Sequence, residues 1–195
     1  HLKYFDSEGK QKNYINKWCE DQDIKLYDDM DFYPPPCKVY KNDFNLFDGL
    51  IAEKNLKNVE PTGDITRILN HIYYLCGEDE TNKEFLIKLI AHKVKYPGKL
   101  QKVAVVMRSE QGVGKNLLSD FIGNCILGSK YYICDANADT FLGRFSCGLK
   151  NKLLCVLNEV SGKDTFGQEG KIKSFITDHK IRYEMKNVDY KMINN

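Results

Sequence analysis

An α/β domain, built as a parallel sheet flanked by helices with a small helical region ahead of it, is the fold class this sequence predicts. Three observations carry that expectation. A short apolar run, Lys102-Val-Ala-Val-Val-Met107, has the near-continuous hydrophobicity of a buried parallel strand and leads through a glycine-rich turn into a helical pattern that starts at Lys115. A second run, Leu153-Leu-Cys-Val-Leu157, follows at the distance a strand–helix–strand excursion requires. Upstream, apolar residues recur at helical spacing between clear start and stop signals.

With 195 residues and 42% hydrophobic content, the chain can bury one ordinary core and carry a smaller appended module. No stretch approaches the roughly 18 apolar residues that span a bilayer, and the charged start at His1 lacks the apolar centre of a signal peptide, so a soluble intracellular protein without a membrane partner is expected. The seven cysteines are scattered, without a C-x-x-C pair or a histidine at zinc-finger spacing; reduced thiols are the expectation. A net charge of +2 does not by itself announce a polyanionic partner.

Taken in order, residues 1–61 mix aromatics with charges around Pro34-Pro35-Pro36, which forces an extended segment, and read as an appended region. Within it Asp43-Phe-Asn-Leu-Phe-Asp-Gly49 alternates apolar and polar positions, as a short strand or docking turn does. Residues 62–98 read as a helical subdomain. One helix opens near Thr62-Gly-Asp64 with Ile65, Ile68, Leu69, Ile72 and Leu75 on its apolar face and stops near Gly77. A second is capped by Thr81 with Glu84 three positions on, places Phe85, Leu86, Leu89, Ile90 and Val94 inward, and breaks at Pro97-Gly98. Residues 99–195 form the core domain. Its first helix, from Lys115 to about Gly128, would bury Leu117, Leu118, Phe121, Ile122, Cys125 and Ile126.

The turn between the first strand and that helix carries the chemistry. Several backbone N–H groups converging on phosphate oxygens, glycines that let the chain approach without Cβ clashes, and a lysine for the outer phosphates are what a triphosphate needs. Gln111, Gly112, Val113, Gly114, Lys115, Asn116 and Leu117 supply such a cradle, a P-loop, for ATP. Two positions depart from the G-x-x-x-x-G-K-[ST] pattern. Ser109 stands where the first glycine belongs, and Asn116 replaces the hydroxyl residue that meets Mg²⁺, although its amide oxygen suits a hard cation.

Leu157 is followed by Asn158-Glu159, some 44 residues after Lys115. An acidic end on a neighbouring strand is where a P-loop ATPase steadies Mg²⁺ and activates water, which makes Glu159 the candidate catalytic base and Asn158 the metal-proximal residue. An ordinary solvated glutamate at a strand end is the plainer alternative. Further on, Ile181 to Lys186 and Tyr190 to Ile193 read as a β-hairpin turning at Asn187-Val-Asp189. Seven basic or histidine positions face three acids between Lys171 and the end, so Lys173, Lys186 and Asn187 are candidate nucleic-acid residues. A charged hairpin edge that prevents aggregation accounts for the same residues.

The ordered set Ser-Glu-Gln-Gly-Val-Gly-Lys-Asn, Leu-Leu-Cys-Val-Leu-Asn-Glu and Lys171-Ile-Lys-Ser-Phe-Ile-Thr-Asp178 with the hairpin resembles superfamily 3 helicases. It is similar above all to the helicase part of viral and phage primase-helicases, the poxvirus-type proteins included. The resemblance extends upstream to about Pro34. It implies an AAA+-like core, a ring oligomer, usually a hexamer, ATP-driven movement along single-stranded DNA in replication, and a primase domain in the parent chain. By the same resemblance Lys115 would hold the β- and γ-phosphates, Asn116 and Asn158 would serve Mg²⁺, Glu159 would activate water and Lys186 would sit on a pore hairpin. A further strand with a sensor asparagine and an arginine finger would follow the hairpin in that family, so the chain reads as C-terminally truncated. Two other classes stay open: a P-loop domain of another kind, an AAA+ remodeller or a small-molecule kinase, and a degenerate P-loop scaffold prompted by Ser109 and Asn116.

Overall fold

Parallel pairing of two short strands, with helices against both faces, frames the glycine-rich turn. The structure, a computed structural model, describes residues 3–57, 59, 60, 62–143, 147–158, 167–185 and 188–194, with side chains through residue 180 except that of 147. Two compact units divide the chain: His1–Asp31 with Val39–Asn45, and Phe32–Lys38 with Leu46–Asn195.

In the first unit, β1 (Lys3–Phe5) and β2 (Gln11–Asn13) form an antiparallel pair with Tyr4 opposite Lys12. Their turn is closed by Asp6, whose Oδ1 accepts from the backbone of Glu8 at 3.0 Å and of Lys10 at 2.9 Å, as short acidic side chains in turns do. A short helix α1 (Tyr14–Glu20) follows. The alternating segment read from Asp43 does form a strand: β4 (Asp43–Asn45) runs parallel to β3 (Asp29–Asp31).

The second unit carries the remaining elements. Helix α2 (Ile51–Leu56) is followed by α3 (Thr66–Leu75) and α4 (Glu80–Lys95). α3 starts a turn later than the Thr62 signal, with Asp64 Oδ1 accepting from the Thr66 amide at 2.8 Å, and Ile65 is left 62% exposed outside it. The cap of α4 is Asp79 and not Thr81: its Oδ1 accepts from the Asn82 amide at 2.8 Å, and a carboxylate there also meets the positive end of the helix dipole. Phe85, expected inward, is 56% exposed, while Leu86 is buried.

Helix α5 (Lys115–Asp120) runs on without a break into a wider π-helical stretch, Phe121–Leu127. Its inward face is Leu118, Ile122, Gly123 and Leu127, so the predicted stripe is rotated: Leu117 is 64% and Phe121 37% exposed. Strand β5 (Tyr132–Asp135) pairs in parallel with β6 (Leu154–Leu157), Tyr132 opposite Leu154 and Asp135 opposite Leu157. The ladder continues at both ends through Leu153 N to Tyr131 O at 2.7 Å and Asn158 N to Asp135 O at 2.9 Å.

Side chains alternate across this pair, as strand geometry demands. Ile133, Cys155 and Leu157 pack against α6 (Asp139–Leu142), Leu149 and α7 (Glu169–Thr177). On the opposite face Leu154 joins Leu127, Leu50 and Tyr131. A third cluster, Ile72 of α3, Leu86 of α4 and Leu118 of α5, joins the helical pair to the helix after the turn. The architecture is therefore mixed α/β with two-stranded parallel pairs.

The apolar run at 102–107 is not a strand. A strand exists only through a neighbour that completes its ladder, and among the described residues none pairs with it. Val103, Val105 and Val106 are 47%, 46% and 90% exposed, and only Met107 packs, beside the Ile72–Leu118 cluster. The hairpin does form, but Val188 and Asp189, expected in its turn, belong to the return strand: β7 (Lys180–Met185) and β8 (Val188–Asn194) are antiparallel, with Lys180 opposite Asn194, Met185 opposite Val188 and an irregularity between Tyr183 and Met185.

Candidate nucleotide-binding site

Gly112 and Gly114 both take left-handed backbone conformations, at φ of 87° and 88°, a region that costs a side-chain-bearing residue of order 1 kcal/mol. They do so for different reasons. A Cβ on Gly112 would meet nothing within 4 Å, so only the backbone requires glycine there, and space lies open beside it. A Cβ on Gly114 would lie 2.6 Å from His71 Cε1 and 2.9 Å from Nε2. Gly114 is the residue at which α5 begins, and its carbonyl accepts the first helical bond, from Leu118 N at 3.3 Å.

Lys115 is folded over the turn. Its ammonium donates to Ser109 Oγ at 2.6 Å, Glu110 O at 3.0 Å and Ser109 O at 3.3 Å, and Ser109 Oγ in turn donates to Glu110 O at 3.3 Å. The hydroxyl at the position where the pattern expects glycine thus supplies the shortest of the lysine's bonds. An ammonium has three donors and no acceptor, and three loop oxygens lie within its reach. Gln111 and Asn116 are exposed, Leu117 points outward, and the Asn116 carbonyl accepts from Ser119 Oγ at 3.0 Å.

Asn158 lies at the end of β6, on the strand face that carries Leu154 toward the α5 run. Its Nδ2 donates to Cys134 Sγ at 3.3 Å. Two residues back on the same face of β5, the Tyr132 ring lies where a Cβ on Gly123 would fall, at 2.2 to 2.6 Å. Its hydroxyl donates to Asp120 Oδ1 at 2.9 Å and meets Ser119 Oγ at 3.3 Å. Burial pushes the Tyr132 phenol well above its ordinary value, so it remains a donor. Asn158 and the helix after the turn are therefore connected through β5.

Sequence reasoning missed His71, Tyr132, Ser119 and Asp120. A glycine inside the helical pattern at 123 was the available signal of a close neighbour. Lys173 is exposed on α7. Glu159, Lys186 and Asn187 lie outside the described residues.

The class defined so far is a mixed α/β protein with a glycine-rich, lysine-closed turn leading into a helix. A family model described as a family of unknown function, DUF5906, matches residues 107–195, which takes in the turn, the β5–β6 pair and the hairpin. No curated protein matches the chain. Among solved structures, the apo structure of the NrS-1 C-terminal region (305–718) is 28% identical with a TM-score of 0.67, over 87% of this chain and 41% of that one. An A-form apo structure of the same region gives 0.65 at 28% identity, over 85% and 40%. The chain thus spans about 41% of the structure it matches, and shares the fold of that part.

Proposed function

We propose that the turn at residues 111–117 binds ATP and that the chain is the motor part of a DNA helicase of the superfamily 3 kind, acting in viral or phage DNA replication. The observation that carries this is Lys115, the first residue of α5, tied back by three oxygens to Ser109 and Glu110 at the other end of a loop in which Gly112 and Gly114 are left-handed. A triphosphate would take the ammonium from those oxygens, while N–H groups of the turn and of the first helical residues receive its charge. Nothing stands within 4 Å of where a Cβ on Gly112 would lie, which supports room for a ligand at that side of the loop.

Mg²⁺, when bound, would neutralise charge between the outer phosphates. The carboxamide oxygens of Asn116 and Asn158 are donors of the right hardness, and with the Asn158 Nδ2 engaged by Cys134 its Oδ1 is the acceptor that remains. Glu159 is the proposed base. Lys186 and Asn187 between β7 and β8, with Lys173, would contact the phosphates of single-stranded DNA, which demand charge and not base sequence. A ring of copies and a primase elsewhere in a longer parent chain complete the proposal.

Thermal unfolding with and without ATP and Mg²⁺ tests the nucleotide site. A ligand at a hundred times its Kd stabilises by about 2.7 kcal/mol, which at 2–4 °C per kcal/mol raises Tm by roughly 5–10 °C. Lys115→Ala should abolish the rise. An unchanged Tm for the wild-type chain would leave the degenerate scaffold as the better description. Single-stranded DNA should bind in a salt-dependent way and less tightly after Lys186→Ala; equal affinity would return the hairpin to its role as a charged edge.

A further inference from the structure

The phosphate turn is gripped from outside by a residue of the preceding helical pair. His71 lies on α3, 43 positions before the glycine it meets, and its Nε2 is 3.1 Å from the Gly114 carbonyl. A carbonyl can only accept, so Nε2 carries the proton in this contact. The Gly114 oxygen is then held by two donors, the His71 ring and the Leu118 amide. The imidazole also fills the space a Cβ would need at position 114. The neighbouring residue, Ile72, packs with Leu118 in one cluster, so α3 touches the start of α5 through a polar and an apolar contact at adjacent positions.

From this we infer that His71 is a positioning residue for the phosphate turn, and that it couples α3 to the occupancy of the nucleotide site. The orientation of the Gly114 peptide decides where the Lys115 N–H points, because the two share one planar unit. Without the ring, the carbonyl would keep only its long helical bond at 3.3 Å, and Gly114, which has no Cβ to restrict it, could rotate. The ring therefore supplies the rigidity that glycine lacks, and a nucleotide that fixes the turn fixes α3 through the same bond.

This role rests on the nucleotide-binding reading above, and the experiment separates the two. ATP affinity with Mg²⁺ is measured for the wild-type chain, Lys115→Ala, His71→Ala and His71→Gln, with hydrogen exchange of the α3 amides recorded with and without nucleotide. One lost hydrogen bond predicts affinity five- to tenfold weaker, roughly, in His71→Ala. His71→Gln, whose amide N–H reaches as far as Nε2, should recover most of it. Nucleotide should protect α3 in the wild type and in His71→Gln but not in His71→Ala. A residue that only supported the fold would lower Tm without nucleotide and leave this pattern unmoved. If His71→Ala does not fold, the His71→Gln affinity and the wild-type exchange data decide: a glutamine variant that binds more than tenfold weaker, or α3 amides blind to nucleotide, overturns the inference. Normal binding by His71→Ala with none by Lys115→Ala overturns it alone; no binding by the wild-type chain overturns the nucleotide site beneath it.

Discussion

Replacing Gly123 by alanine should destabilise the protein although it puts a better helix former into a helix. Gly123 sits in the π-helical stretch after α5 with its carbonyl bonded to the Gly128 amide at 2.8 Å. On propensity alone, Gly→Ala there gains about 1 kcal/mol. The new Cβ, however, would fall 2.2 to 2.6 Å from three ring atoms of Tyr132, well inside any real contact. That ring cannot step aside freely, since its hydroxyl is tied to Asp120 at 2.9 Å and the residue is 9% exposed. Overpacking of this kind costs up to about 3 kcal/mol. The net loss is then up to about 2 kcal/mol, a fall in Tm of as much as roughly 4–8 °C for a chain of this size. Thermal unfolding followed by circular dichroism reads it directly. The partner experiment places the same change in a Tyr132→Ala background, where the obstruction is gone and Gly123→Ala should stabilise by about 1 kcal/mol. A Gly123→Ala protein as stable as the wild type, or more so, would refute the packing of β5 against this helix.

Asp48 offers a pH test. Hydrogen bonds from Lys130 first, then Tyr131 and Lys54, hold its carboxyl well below the ordinary value of 3.8. A depressed folded pKa stabilises above the unfolded value and is lost as pH falls through the folded one. Asp48→Asn should therefore lower Tm at pH 7, and the gap from wild type should narrow steadily below pH 4; a gap independent of pH would remove the carboxylate from the explanation. Cys155 offers a reactivity test. Burial pushes its thiol up to about 12, so it should resist alkylation at pH 8 in the folded protein while exposed Cys19 and Cys37 react; equal labelling would contradict its burial between β6 and the helices.

The parts legible from sequence were those that local chemistry decides. Gly112, Gly114 and Lys115 marked the turn and the first residue of α5, because left-handed backbone and helix initiation are properties of a few consecutive residues. Leu153 to Leu157 marked β6, and alternation over 181–193 marked the β7–β8 hairpin. What failed depended on neighbours distant in sequence. The 102–107 run has the composition of a buried strand, yet composition supplies no ladder partner, and its valines stand exposed. The buried stripe of the α5 run was misplaced because Leu117 and Leu118 are equivalent by hydropathy. Only the positions of Ile72 and Tyr131 decide that Leu118 and Leu127 turn inward. Thr81 lost the α4 cap to Asp79, a choice between two competent residues that the charge of the carboxylate settles.

Ser109 shows how a departure from a pattern can be read once its surroundings are known. Beside the consensus it is a departure, since a hydroxymethyl group stands where a bare backbone is usual. In place, its hydroxyl is the nearest acceptor of the Lys115 ammonium, at 2.6 Å, and passes that contact on to Glu110 O. Without that hydroxyl the ammonium would keep two carbonyl acceptors, at 3.0 and 3.3 Å. The serine therefore ties the ammonium back to residues 109 and 110 of its own loop. It offers one neutral oxygen, which on the proposed reading a phosphate bearing full negative charge would outcompete. His71 restrains the same turn from its other end, through the carbonyl of Gly114. If the turn binds a nucleotide as proposed, Ser109 and His71 would hold the lysine and the start of α5 in advance, so that less ordering would remain to be done on binding.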